Sequence, residues 1–393
     1  MVSPIPLAVA FVVLVSCSAA DSESDVERPA DDGPLVVRSS VPVLERPWAL
    51  ELADVDGDGQ LDVVVGAEGV DILLGDGAGG LVRAPGSPYT GPTIAEDFAF
   101  GDFDEDGRGD IVVAEHDEGP RLFVLRGTAD GGFELAAGSP FVVDATPHVH
   151  TVAAGDIDGD GHLDIVTDSW PENRLVLVHG RGDGSFEAPG RQIPVPPAPI
   201  NNLRGGDLNG DGTLDIVTPA HDREAVTVLL GDGVGGFAQA PGSPYPSFGG
   251  FSTVSLADLD RDGDLDVAEV HRSDASTQYK QDALSLLLND GTGRLAHAPG
   301  SPLTSLSGRA NALGVGDATG DGWPDVVTLS ESTRVLTLFA GGPSGWRNLG
   351  SNTPGGQPRD VELGDLDGDG RAEVIVTDAD GGRLLILGVD GGD

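Results

Sequence analysis

Short runs of Val, Ile and Leu recur from Pro34 to the end of the 393-residue chain, separated by stretches rich in Gly and Asp. Residues 150–157 (HTVAAGDI) predict one strand, Leu163 to Thr167 a second and Arg174 to Val178 a third. A Gly-rich turn follows from Gly180 to Ser185, with a fourth strand from Phe186. Apolar runs of this length bounded by turn residues are strand signals. Four short strands joined by tight turns make one blade of an antiparallel propeller. The third-to-fourth turn returns as GDGAGGL at 75–81, GDGVGGF at 231–237 and NDGTGRL at 289–295. APGSP follows it at 84–88, 240–244 and 298–302.

Between the first and second strands lies the pattern D-x-D-x-D-G-x-x-D, which occurs seven times with small substitutions. Its first Asp is Asp54, Asp102, Asp156, Asp207, Asp258, Asp317 and Asp365, at steps of 48, 54, 51, 51, 59 and 48 residues. Such a period belongs to a propeller, solenoid or array. The chain ends choose among these. The last unit stops after its third strand, Arg383 to Leu387, and a spare strand, Pro34 to Val43, precedes the first loop. The spare strand can complete the last blade and close a ring with no open edge along the circle. The expected fold is all-β: a seven-bladed propeller of four-stranded antiparallel blades over residues 34–393, closed by the N-terminal strand.

Hard cations take oxygen ligands, and Ca²⁺ accepts six to eight. Side chains at loop positions 1, 3 and 5 can turn inward together, Gly at 6 permits the bend, the carbonyl at 7 adds an oxygen, and position 9 closes the site. In the first loop these are Asp54, Asp56, Asp58, Gln60 and Asp62; in the second, Asp102, Asp104, Asp106, Arg108 and Asp110. The third has Asp156, Asp158, Asp160, His162 and Asp164, and the fourth Asp207, Asn209, Asp211, Thr213 and Asp215. The fifth has Asp258, Asp260, Asp262, Asp264 and Asp266; the sixth, Asp317, Thr319, Asp321, Trp323 and Asp325; the seventh, Asp365, Asp367, Asp369, Arg371 and Glu373. Asp-Gly alone makes hairpin turns, but a turn needs no Asp at 1, 3, 5 and 9, and seven copies in one register point to about seven Ca²⁺. Asn209 and Thr319 each lose a carboxylate, and Thr319 is the weaker ligand.

This organisation resembles the FG-GAP/VCBS repeat family, whose best-known fold is the integrin α-subunit propeller. The resemblance covers all seven units and implies calcium-binding hairpin loops in which the ninth residue replaces the distal Glu of an EF-hand. It implies little about biological role, since one fold serves many.

The net charge is −43, from 65 acidic and 22 basic residues. A chain this acidic does not bind nucleic acid through phosphate contacts. Seven divalent ions would offset fourteen of those charges. Cys17 is the sole cysteine, so no intramolecular disulfide forms. It ends Leu14-Val15-Ser16-Cys17 after the apolar run Ile5 to Val15, which is too short to span a bilayer. This resembles the lipobox of bacterial lipoproteins, although the first residues carry no Lys or Arg. The expectation is a signal at 1–17, lipidation at Cys17, a flexible acidic tether at 18–33, and an exported monomer held in the envelope only by its lipid. The alternative is an ordinary signal cut after Ser18-Ala19-Ala20, with release of the protein.

Two-to-three loops and blade connections occupy the end opposite the acidic loops, where repetition stops. Three of those loops open with His116, His221 and His271, and a fourth has Trp170. The strand entries nearest the axis carry Arg46, Trp48, Glu96, His148, His150, Asn201, Arg309, Asn311 and Arg359. Solvated loop polarity explains such residues by default. A convergent mouth would suit an acidic sugar, a carboxylate or a peptide side chain. His148-x-His150 has the spacing of a transition-metal pair, with no third ligand evident in sequence. No GxSxG, HExxH, P-loop or Cys nucleophile is present. The expected role is a binding or adhesion module for a protein or glycan; a polysaccharide-active enzyme and a structural envelope protein are the alternatives.

Overall fold

The computed structural model describes residues 33–169, 173–195, 202–220, 224–247, 251–272 and 282–390. The signal, the lipidation site Cys17 and nearly all of the tether lie outside these residues, as do Trp170, Asn201 and His221. Every regular element among the described residues is a strand, and the strands form seven antiparallel sheets. Blade 1 runs through Ala49–Ala53, Asp62–Ala67, Gly69–Gly75 and Leu81–Arg83. The others follow in chain order.

Blade 7 contains Pro358–Gly364, Glu373–Asp378 and Arg383–Val389, and its fourth strand is the N-terminal Leu35–Pro42. That strand pairs from Leu35↔Val389 to Pro42↔Arg383 with a register shift between Val37 and Ser39. The predicted ring closure is therefore present. Asp390 N–H donates to the Pro34 carbonyl at 2.7 Å, and Val43 N–H to that of Gly382 at 2.9 Å.

Alternation explains how the blades hold together. In Asp62–Ala67, Val64 packs into a core shared with blade 2, whereas Val63 and Val65 pack into one shared with blade 7. Successive side chains leave opposite faces of a strand, and both faces of each blade are covered. This is why the strands read as continuous apolar runs rather than an alternation. Seven such cores occur among the described residues, one per blade interface.

Three details depart from the sequence reading. In blades 2 and 4 the outer strand is broken: Phe133–Leu135 and Phe141–Val142 both pair with Arg121–Gly127, and Phe237–Gln239 and Tyr245–Pro246 both pair with Ala225–Gly231. In blade 3 the fourth strand is Arg191–Pro194 rather than a strand from Phe186, which makes one isolated bridge to Gly180. A Gly-Ser-Pro turn, shared by blades 1, 2, 4 and 5 and absent from blade 3, accounts for the breaks in blades 2 and 4. Its serine hydroxyl accepts a third-strand N–H that the outer strand leaves unpaired: Ile72 to Ser87 at 2.9 Å, Val124 to Ser139 at 2.9 Å, Val228 to Ser243 at 2.9 Å and Leu286 to Ser301 at 2.8 Å. Finally, His271 lies inside the strand Asp266–Arg272, fully buried, and does not open a loop.

Candidate functional site

The seven acidic loops share one hydrogen-bond scheme. In the first, Asp54 accepts the N–H of Gly57 at 2.8 Å and of Gly59 at 2.9 Å. Both glycines have positive φ, 80° and 88°, a conformation that costs other residues. The position-5 carboxylate accepts the position-7 N–H in every loop, as in Gln60 to Asp58 at 2.8 Å and Arg371 to Asp369 at 2.8 Å.

Position 9 is the deepest. Asp62 is fully buried and accepts Val55 N–H at 2.8 Å and Gly75 N–H at 2.8 Å, so it ties the loop to the end of the third strand. Asp110, Asp164, Asp215 and Asp266 repeat this pair of bonds. The sixth loop differs at its substituted position: Thr319 N–H, not that of Ala318, reaches Asp325 at 2.8 Å. Glu373 takes Leu366 N–H at 3.0 Å in the seventh. Burial raises the pKa of Asp62, Asp110, Asp215 and Asp325 to about 6 and that of Asp266 to about 7, against the lowering effect of the backbone bonds.

The loops fit a hard cation. Carboxylate oxygens of Asp54, Asp56 and Asp58 lie within 4.8 Å of one another, as do those of Asp102, Asp104 and Asp110, and of Asp156, Asp158 and Asp160. Asp104 Oδ1 and Asp260 Oδ1, both at position 3, are buried with no hydrogen-bond partner. Buried polar oxygens require a partner, and a cation held by the loop supplies one. Two loops carry an extra cationic or imidazole neighbour. Arg126 lies 2.5 Å from Asp104 and 3.9 Å from Asp106, and His179 Nδ1 lies 3.0 Å from Asp158 and 3.5 Å from Asp164.

The loops also staple neighbouring blades. Gly79 N–H donates to the Leu366 carbonyl at 3.0 Å, Gly184 to Phe103 at 2.9 Å and Gly235 to Ile157 at 2.9 Å, each from a third-to-fourth turn to position 2 of the preceding blade's loop. In blade 5, Asn289 Nδ2 does this to Leu208 at 2.7 Å.

At the opposite end, the mouth residues fall into two groups. In one, Arg359 stacks 5.0 Å over Trp48 and pairs with Glu331, whose N–H is held by Asn311 Oδ1 at 2.7 Å. In the other, His148 and His150 meet a third imidazole, His116, with ring centroids 4.1 to 5.4 Å apart. His148 Nε2 lies 3.1 Å from His150 Nε2, and His150 Nδ1 lies 2.8 Å from Asp168 Oδ2. Burial lowers the His150 pKa, but the charge and hydrogen bond of Asp168, with Glu96, outweigh it and raise the value to about 9. Burial and the His150 and His116 charges push His148 down to about 4. Arg309 is half-buried and Arg46 is exposed with φ 55°.

Sequence reasoning missed the buried charges of the axis. Arg204 is 1% exposed and lies 3.6 Å from Asp97. Asp97 accepts Val152 N–H at 2.8 Å from blade 3, and Asp360 accepts Leu50 N–H at 3.0 Å from blade 1. Burial raises both acids to about 7, with Arg204 opposing the shift. The signal was available as charged residues inside otherwise apolar first strands, in AEDFAF at 95–100 and RDVEL at 359–363.

Ring, blades and loops together define a seven-bladed β-propeller with an acidic metal-type loop at the inner hairpin of each blade. The FG-GAP-like repeat profile matches residues 54–113, 102–167, 169–218 and 317–376, more than half of the chain, and the protein belongs to that family. Repeats of this family generally bind calcium. Cartilage acidic protein 1 of Xenopus tropicalis is 28% identical over 107 residues, which is 27% of this chain and 16% of that protein's length. BBS1N, solved in complex with ARL6DN from a lead-soaked crystal, superposes with TM-score 0.58 at 12% identity over 91% of this chain and 98% of that one. The periplasmic gluconolactonase PpgL of Pseudomonas aeruginosa gives 0.52 at 17% identity over 78% and 85%. At these identities the likeness is one of fold.

Proposed function

We propose that this protein is a calcium-stabilised binding module of the bacterial envelope, held by a lipid on Cys17, and that it receives a protein or glycan partner at the rim opposite the acidic loops. The observation that carries this reading is the division between the rims. Seven equivalent loops with one bonding scheme occupy one end. Non-repeating Arg, Trp and His side chains gather at the other. Each loop would hold Ca²⁺ through positions 1, 3, 5 and 9 and the carbonyl of position 7, with oxygen donors throughout. The ion offsets the buried position-9 charge and stiffens a scaffold whose opposite loops are then free to specialise. Arg359 over Trp48 presents a cation and an aromatic face, which suits a carboxylate-bearing sugar or an acidic peptide side chain.

The test is a glycan array, with acidic polysaccharides and envelope proteins, probed by the calcium-loaded chain. Arg309→Glu and Arg359→Glu should each weaken the bound partner without lowering calcium content. Binding that survives both substitutions and disappears when loop carboxylates are replaced would place the partner at the wrong rim. Cys17→Ala should move the protein from the membrane to the soluble fraction; unchanged partition would favour a cleaved, released form.

A further inference from the structure

The mouth holds a cluster that a binding module built on calcium does not need. His116 follows the second strand of blade 2, Asp110–Glu115, while His148 and His150 lie on the connection into blade 3. The fold brings one imidazole nitrogen of each within 4.8 Å of the other two. His148 Nε2 and His150 Nε2 are 3.1 Å apart. Ligand atoms bound to zinc at tetrahedral angles and about 2.0–2.1 Å stand about 3.3 Å from one another. The pair is thus already spaced as two ligands of one ion, and the third is a small side-chain movement away.

The surroundings are those of a metal site. Metal-bound histidine usually gives its other nitrogen to a carboxylate, which fixes tautomer and ring orientation. His150 Nδ1 lies 2.8 Å from Asp168 Oδ2, and the other oxygen of Asp168 accepts the N–H of His150 at 2.7 Å and of Thr151 at 3.0 Å. His116 Nδ1 lies 3.0 Å from Asp117 Oδ1. A fourth group stands beside the three rings. Glu96 is 1% exposed, its Oε2 has no hydrogen-bond partner, and that oxygen lies 4.0 Å from His116 Nε2. A buried carboxyl oxygen without a partner, beside one imidazole of a cluster of three, is the arrangement a divalent ion would complete.

We infer that His116, His148 and His150 bind one first-row transition-metal ion, Zn²⁺ foremost, at the mouth of the propeller, with Asp168 and Asp117 as the carboxylates that orient two of the rings. Imidazole ligands suit zinc, copper and nickel and are poor for calcium, which takes oxygen. The chain would then carry two chemically distinct metals at its two ends. This site goes beyond the calcium-module reading and stands without it.

The test is a zinc titration of the full chain against a competing chromophoric chelator, in millimolar calcium that keeps the acidic loops occupied. One zinc per chain is expected, with calcium content unchanged. His116→Ala and His148→Ala, both at partly exposed positions, should each weaken zinc by about 100-fold, and Asp168→Asn by about 10- to 100-fold. The Gln variants at 116 and 148 keep side-chain volume and should behave like the Ala variants if the loss is one of ligation. Cobalt in place of zinc should show the intense visible absorption of a four-coordinate nitrogen site. Absence of zinc binding, or equal binding by the His116→Gln/His148→Gln double variant, would overturn the assignment; the second result would put the zinc at the acidic loops and leave a plain N–H···N contact between His148 and His150. A chain that takes up zinc at the imidazoles but no calcium would instead sink the calcium reading alone.

Discussion

At the acidic rim, seven loops of nearly one sequence adopt one geometry, whereas the opposite rim has no repeat and gathers its groups from unrelated positions in neighbouring blades. The acidic loops bond mainly to themselves: Asp54 to Gly57 and Gly59, Asp58 to Gln60, Asp62 to Val55 and Gly75. Their shape is encoded locally. The His cluster is not local. His116 comes from blade 2, and His148, His150 and Asp168 from blade 3 and the connection before it. Local encoding suits a device copied seven times for stability, and non-local assembly suits one that can vary without disturbing the copies.

Removing calcium should separate the two rims most sharply. A ligand at a hundred times its dissociation constant contributes about 2.7 kcal/mol per site, so chelating several sites should lower Tm on the order of 20 °C for a chain of this size. Scanning calorimetry with and without chelator measures this, together with metal analysis; one calcium or none per chain would refute the seven-site account. The pH dependence should also divide. Without metal, the position-9 acids have folded pKa values raised to about 6 or 7 by burial. Their unfolded values lie near 4. Such groups favour the fold when protonated, and that contribution is lost as pH rises through the folded pKa. The metal-free chain should therefore lose Tm between pH 5 and about 7.5, and the calcium-loaded chain should show little of that loss.

Ring closure comes next in size. Deleting residues 34–43 removes the outer strand of blade 7, including buried Leu35, whose N–H reaches Asn352 Oδ1 at 2.8 Å. Several ladder hydrogen bonds at about 0.5–1.5 kcal/mol each are lost, and an open edge is bared. The expected result is a loss of about 3–6 kcal/mol, with association that rises with concentration. Removing residues 18–32 should change neither. Equal stability of both truncations would show that blade 7 packs on blade 1 well enough without the clasp.

How much of this was legible follows from the same contrast. The seven acidic loops, their seven-fold repeat and the closing strand Leu35–Pro42 were readable because each follows from a local pattern in the chain. The broken outer strands of blades 2 and 4 were not, because Gly-Ser-Pro reads as a turn and gives no sign that its serine replaces ladder bonds. His148 and His150 were visible as a pair, but the third imidazole lies 32 residues earlier, and only the fold brings His116 to them. Arg204 with Asp97 was hidden for a related reason: a charge inside a strand looks solvent-facing unless the strand is known to line an axis.

Single substitutions sharpen the comparison further. Asp266→Ala leaves the buried N–H groups of Leu259 and Asn289 without their acceptor. Each orphaned donor costs about 1–3 kcal/mol, so a loss of about 2–5 kcal/mol and of one calcium is expected. Arg359→Ala at the other rim removes a stacking contact and a partly exposed ion pair, worth about 1 kcal/mol or less, and should leave calcium content unchanged. Denaturant unfolding with metal analysis on both variants checks the pair. Comparable losses would mean that both rims are structural.

The smallest expected effect lies within the acidic rim. The residue just before the end of the third strand is Leu74 in blade 1 and Leu230 in blade 4, but Arg126 in blade 2. Arg126 sits 2.5 Å from Asp104 and 3.9 Å from Asp106, at positions 3 and 5 of the second loop. A guanidinium there already neutralises loop charge and would have to give way to, or repel, a calcium ion entering the loop. By carboxylate count alone the sixth loop, with Thr319, should release its ion first and the second loop should rank among the tightest. The Arg126 contact predicts instead that the second loop is weakened too. Arg126→Leu, which restores the residue of blades 1 and 4, should tighten that one site by about 5-fold, roughly 1 kcal/mol for a partly exposed ion pair. Partial chelation followed by crystallography gives the order of release. The sixth and second loops should empty before the others in the natural chain, and only the sixth should do so in the variant. If the second loop keeps its calcium to the end in both proteins, Arg126 stabilises the loaded loop rather than competing with the ion, and the ranking by carboxylate count stands.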